Sequence, residues 1–265
     1  MVVFCTDYGL TDPFVGLCHA VIRSQAPGVE IVDLTHGVPA QDIAAGARVL
    51  ADSAPWLPPA VLLGVVDPGV GTDRDGVIVR ARDGRLLVGP DNGLLIEAAE
   101  ACGGAARAWV LPPRDDDDQP RTFDGRDVFA PAAARLAAGD DPGDLGRVSE
   151  PDALARIRTV PEASVEPGRV ATRVRSIDGF GNVQLTVRRR VIAQAELPED
   201  HWLRVSVGTV SAGARLVGAF AYLPRKGLGI MPDAFGRLQL AVKDGDAAHR
   251  MGLKVGDEVV IEYGH

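Results

Sequence analysis

Residues Val65–Arg74 read VVDPGVGTDR. An apolar run, Ala60–Val66, ends at Asp67, and Pro68, Gly69 and Gly71 then turn the backbone sharply. A run followed by such a turn reads as a buried strand that delivers a carboxylate to its C-terminal end. Open α/β sheets gather their chemistry at that end. Arg74 follows within reach of Asp67 if the glycine-rich turn folds back. Taken alone, the stretch fits a strand, a turn and a surface salt bridge equally well.

Outward from this turn, the first part of the chain alternates strand and helix patterns. Val2–Thr6 reads as a strand ending at Asp7-Tyr8-Gly9, and Thr11-Asp12-Pro13 supplies a cap and a first-turn proline for a helix over Phe14–Ser24. Ile31–Leu34 is a strand closed by Thr35-His36-Gly37, and Ile43–Ala51 a helix. Beyond the turn, Gly76–Arg82 and Leu86–Val88 form a hairpin about Asp83-Gly84, and Gly89–Gly93 opens a helix over Leu94–Ala101. The four aspartates within Arg114–Gln119 read as a solvated loop, because a metal site needs ligands converging from spaced positions. Thr122–Asp127 precedes an Ala-rich helix, Val128–Ala138. The alternation predicts a layered α/β domain with a central, mostly parallel sheet.

Composition shifts to Asp, Pro and Gly over Gly139–Pro167, and the pattern after it has period two. Strands are expected at Arg169–Ser176, Asn182–Val187, Trp202–Val207, Arg215–Phe220, Arg237–Val242 and Glu258–Tyr263. Short strands between Gly and Asp turns indicate a small β-barrel-like domain. The expected division is an α/β domain over 1–150, a linker over 151–168 and the β domain over 169–265. The segment from Gly227 to Asp257 has a PDZ-like cadence but reads as closing strands of that domain.

The net charge of −8 argues against a nucleic-acid partner, which needs a basic surface. It suits a cationic or zwitterionic small molecule. Cys5, Cys18 and Cys102 are scattered and odd in number, which fits a reducing cytoplasm and no disulfide framework. No apolar run approaches a membrane span, and the chain opens on a strand rather than a leader, so a soluble cytoplasmic protein without a membrane partner is expected. His19, His201, His249 and His265 show no metal-ligand spacing, and His36 reads as a turn histidine.

Four loops carry acidic or amide groups just after strand patterns: Asp7/Asp12, Asp67/Arg74, Asp124/Arg126/Asp127 and Asp178/Phe180/Asn182. A carboxylate can accept from both hydroxyls of a ribose diol, and an aromatic beside an amide suits a purine. Each loop alone is ordinary turn chemistry. Their combination points to a nucleoside.

The motifs TDYGLTDPFVG, VVDPGVGTDR, GPDNGLL, TFDGRDVFAPAAA and IDGFGNVQLT, in this order, resemble those of the S-adenosyl-L-methionine (SAM) hydroxide adenosyltransferases, relatives of the fluorinase and chlorinase. The likeness runs from Val2 to about Ile261. It implies attack of water at the 5′ carbon of SAM, with L-methionine leaving and adenosine formed, and no metal or cofactor. It also implies a homotrimer with SAM between the α/β domain of one subunit and the β domain of its neighbour.

By the same resemblance, Asp7 grips the ribose hydroxyls, and Asp12 and Asp178 lie near the methionine ammonium. Phe180, Asn182 and Phe220 meet the adenine, with the Val242 backbone at its edge and Phe123 also lining the substrate. Asp67 and Arg74 match two members of an Asp-Arg-His network around the attacking water. The third member departs from the pattern: Asp124 stands where the family has histidine. A shorter second carboxylate either takes over as proton acceptor or leaves a SAM or adenosine binder without chemistry. The halogenating relatives carry an aromatic at the Asp67 position and serine at Gly125. A carboxylate about 4 Å from an incoming halide costs on the order of 4 kcal/mol at an effective dielectric of 20, roughly three decades in rate.

Overall fold

The computed structural model describes residues 1–112, 122–157, 163–199 and 201–263, so the acidic run 114–119 lies outside the described residues. The chain divides into two compact units, Met1–Arg158 and Thr159–His265.

The first unit contains β1 (Val2–Thr6), α1 (Phe14–Gln25), β2 (Ile31–Thr35), α2 (Ile43–Ser53), β3 (Val61–Val65), β4 (Gly76–Ala81), β5 (Leu86–Pro90), α3 (Ile96–Ala101), β6 (Ala105–Leu111), α4 (Ala130–Ala138) and β7 (Arg147–Ser149). Its sheet runs β2-β1-β3-β5-β4-β6-β7. The four strands β2, β1, β3 and β5 are parallel, and the sheet continues antiparallel through β4, β6 and β7.

Successive side chains of β1 enter opposite cores, because strand side chains alternate faces. Val3 and Cys5 pack with Leu50 of α2 and Ala98 of α3, whereas Val2 and Phe4 pack with Ile22 of α1 and Ala133 of α4. Both faces are therefore covered, which is why β1 and β3 are buried throughout rather than alternating. Helix α1 buries Val15, Cys18 and Ile22, a single stripe at helical spacing. Its N-cap is Pro13, with no side-chain cap, rather than Thr11 or Asp12.

The second unit contains β8 (Ser164–Glu166), β9 (Arg169–Ile177), β10 (Val183–Arg188), α5 (Val191–Gln194), β11 (Trp202–Val207), β12 (Val210–Leu216), β13 (Leu228–Pro232), β14 (Arg237–Val242), α6 (Ala247–Met251) and β15 (Glu258–Glu262). Seven strands, in the order β10-β14-β13-β12-β11-β15-β9, close into a barrel through the β9–β10 pair, and β8 is appended to β9. The inward residues of each strand, such as Val170, Leu185, Val205, Leu228, Leu240 and Ile261, form one core.

Two expectations for this unit change. The stretch 151–168, expected as a linker, includes strand β8. The strand expected over Arg215–Phe220 lies instead at Val210–Leu216, and Phe220–Tyr222 is a 3-10 turn. Its small residues Ser211, Ala212 and Gly213 carry no strand propensity; their pairing opposite Arg204–Ser206 of β11 makes them a strand.

Candidate functional site

β1 and β3 are neighbours in register, with Thr6 opposite Val65. The loops that follow them therefore leave the sheet at the same level and carry Asp7 and Asp67 at its C-terminal edge. Asn92 fixes the second loop: its Nδ2 donates to the Val66 carbonyl at 2.9 Å, while its Oδ1 accepts from Leu94 N–H at 3.1 Å. Asn92 was missed as a positioning residue. Its signal was the turn motif GPDNG, which reads locally as no more than the start of a helix.

The turn after Asp67 does fold back. Arg74 Nε donates to Asp67 Oδ1 at 3.1 Å and Nη2 to Asp67 Oδ2 at 2.5 Å, a bidentate pair. The same Nη2 donates to Asp124 Oδ2 at 2.8 Å. One guanidinium thus joins the two carboxylates, and Phe129 packs against it with its centroid 5.3 Å from the guanidinium carbon. All three charged side chains are largely buried, with only 10, 6 and 5% of Arg74, Asp67 and Asp124 exposed. Burial pushes the Asp67 carboxyl above the usual carboxylate range, Arg74 pulls it back, and Asp124 raises it further.

Asp124 reaches this position through local backbone geometry. A π-turn over Gly125–Phe129 leads into α4, a widening of the helix found often at functional sites. Phe123, just before it, meets Tyr8 and Phe14 edge-on at 5.6 and 5.2 Å. These contacts join the Asp124 motif to the loop after β1. Gly125 is pressed against Tyr8: a Cβ there would lie 2.0 Å from the phenol oxygen. Burial, with the carboxylates nearby, raises the Tyr8 phenol well above its ordinary value, so it remains a neutral hydroxyl.

Asp7 accepts the Gln41 backbone N–H at 2.8 Å through Oδ2. Asp12 is exposed in the same loop. The first unit therefore brings Asp7, Tyr8, Asp67, Arg74, Phe123 and Asp124 into one neighbourhood.

The second unit holds a separate open cavity of about 790 Å³, lined by Asp178, Phe180, Asn182, Phe220 and Val242 among others. All five predicted β-domain residues are there. Phe235 joins them and was missed, because its surroundings read only as a turn. Phe180, Phe220 and Phe235 are 82, 46 and 40% exposed, a large amount of aromatic surface left in water around one cavity. Asp178 is already engaged: Oδ1 accepts from the backbones of Phe180 and Asn182, and Oδ2 from Asn182 Nδ2, each at 2.9 Å. It builds the turn that presents Phe180. Gly181 has φ of +78° and abuts the Asp246 carboxylate, while its carbonyl accepts from Ala247 and Ala248 of α6, pinning the turn to that helix.

Comparison with known proteins gives matches along both units. Residues 2–146 match the model of the SAM hydroxide adenosyltransferase N-terminal domain, and residues 172–260 that of the C-terminal domain. A Salinispora tropica protein named (R)-S-adenosyl-L-methionine hydrolase is 43% identical over 263 residues, 98% of this chain and 97% of that protein. A fluorinase from an Actinoplanes species is 26% identical over 292 residues, covering 98% of this chain and 97% of its own. Among solved structures, an uncharacterized conserved protein from Thermotoga maritima matches with a TM-score of 0.93 and 33% identity, covering 99% of this chain and all of that one.

Proposed function

The chain belongs to the SAM hydroxide adenosyltransferase family, and on that premise we propose that it hydrolyses SAM to adenosine and L-methionine. The observation that carries this reading is Arg74 bridging Asp67 and Asp124 in a buried setting. The sulfonium of SAM is an excellent leaving group. The protein has to align water with the 5′ carbon and accept a proton as the new C–O bond forms. The C5′–S bond breaks with its electron pair going to sulfur, which leaves as the neutral thioether of methionine. Asp67 takes the proton from water and later releases it to solvent. Its raised carboxyl makes it a better base than an ordinary surface aspartate. Arg74 aligns Asp67 and holds Asp124 beside it. No metal or cofactor enters this sequence of steps.

Asp7 and Asp12 contact the ribose and methionine portions in this reading. The aromatic cavity around Phe180, Asn182, Phe220 and Val242 takes the adenine, and Asp178 reaches the methionine ammonium with the acceptor capacity its turn leaves over. The active form is a homotrimer in which SAM lies between the α/β unit of one subunit and the β unit of the next. Light scattering on the active protein tests that assembly: an active monomer refutes it. Three buried free thiols fit a reducing, cytoplasmic setting.

The geometry also favours water over halide. Two carboxylates against one guanidinium leave the cluster net negative, and a serine at Gly125 would collide with the Tyr8 hydroxyl. Incubation with SAM, with and without chloride, followed by chromatography tests the proposal. Adenosine and methionine in equal amounts, independent of chloride, are expected. No turnover, with adenosine retained on the purified protein, would replace hydrolysis by nucleoside binding.

A further inference from the structure

We infer that His19, Asp33 and His36 form a binding site for a divalent transition-metal ion of the zinc class. His19 comes from α1, Asp33 from β2, and His36 from the turn that closes β2. His19 Nε2 lies 2.8 Å and His36 Nε2 3.1 Å from the same Asp33 oxygen, Oδ1. The three candidate ligand atoms lie within 4.8 Å of one another. Two imidazole nitrogens and one carboxylate form a donor set that suits zinc, cobalt or nickel.

The second observation is His36 itself. It is 5% exposed, and its Nε2 is buried without a hydrogen-bond partner among the described residues, its charged neighbour being Asp33 Oδ1 at 3.1 Å. A buried ring nitrogen that meets a carboxylate without a hydrogen bond needs a reason. A metal ion supplies one.

The surroundings of His36 resemble a built second shell. Its Nδ1 lies 2.8 Å from the Thr6 hydroxyl, which also accepts the Tyr8 backbone N–H at 3.1 Å. In the tautomer whose Nδ1–H donates to Thr6, Nε2 presents its lone pair toward Asp33 and His19. Metal-ligating histidines are oriented in this way. Phe4 packs edge-on to the His36 ring at 4.9 Å and lies 6.0 Å from the His19 ring. The carbonyl of His36 accepts from Gly9 N–H at 2.8 Å. A bound ion therefore braces the loop that carries Asp7, while using none of the residues assigned to hydrolysis.

The test uses the full chain, stripped of metal with a chelator and titrated calorimetrically with Zn²⁺, and with Co²⁺ while visible absorption is followed. Saturable binding of about one equivalent is expected, with a rise in thermal midpoint on metal addition. His19→Gln and Asp33→Asn, at partly exposed positions, each weaken binding by roughly tenfold or more, and isosteric Thr6→Val weakens it by at least about tenfold through the second shell. His36 is left in place because it is buried. No saturable binding by the wild-type protein, or equal binding by the His19 and Asp33 variants, overturns the site and leaves a hydrogen-bonded triad. Because the readout is metal binding, a failure here is separate from any failure of the hydrolase reading.

Discussion

The charged cluster of the first unit and the aromatic cavity of the second solve opposite problems. Around Arg74, the charges are largely withdrawn from water and held by one another on the same unit. Around Phe180, aromatic rings stand in water and Asp178 is spent on its own turn. Chemistry needs groups whose position and protonation are fixed before substrate arrives, so the cluster is closed and preorganised. Recognition of a flat base needs apolar faces left uncovered, and the driving force is their removal from water. The two regions should therefore fail differently when altered.

The sharpest break is Asp67→Asn. It keeps the shape of the side chain and removes the proton acceptor, so turnover of SAM should fall by about 10²–10⁴-fold, while the dissociation constant for adenosine, measured calorimetrically, changes little. Unchanged turnover would remove Asp67 from its role. In the unaltered protein, activity should rise with pH as Asp67 ionises, with an inflection above the ordinary carboxylate range, because burial raises that group. The variant should lack that limb.

Arg74→Leu should damage the fold as well as the rate. It leaves two buried carboxylates without their cation, which costs about 3–5 kcal/mol. Without the arginine the Asp67 carboxyl, already raised by burial, loses the charge that pulls it back and rises further in the folded state. Such groups favour folding below their unfolded pKa, and that contribution is lost as pH rises through the folded value. The variant should therefore recover stability as pH falls, and urea denaturation at two pH values would reveal it. A pH-independent loss would mean that packing on Phe129, rather than charge, dominates.

In the cavity, Phe180→Ala should weaken adenosine binding by about 1–3 kcal/mol if the ring stacks on the base. Thermal stability should hardly change, since the side chain is exposed. A large loss of stability with unchanged affinity would reverse the contrast between the regions. The smallest effect is expected from Asp124→His. If Asp124 does the work of the family histidine, turnover should stay within roughly tenfold of the unaltered protein. Abolished activity would give the second carboxylate a role of its own.

The sequence by itself determined much of this. Apolar runs closed by Asp, Pro and Gly located β1, β3 and their loops, and a return of Arg74 to Asp67 was legible as something a short glycine-rich turn permits. The period-two pattern identified the β unit, and IDGFGN announced a presented aromatic. These are local signals, set by turn chemistry and side-chain alternation within a few residues. Tertiary structure decided the rest. The barrel closes through β9–β10, β12 is a strand because β11 and β13 lie beside it, and Asn92 acts on Val66 from 26 positions away. Asp124 meets Arg74 across 50 positions. His19 meets Asp33 only once α1 packs on the sheet, so no spacing rule could find their cluster. Contacts of this kind depend on how helices and strands pack, and packing is a property of the whole core rather than of any stretch of sequence.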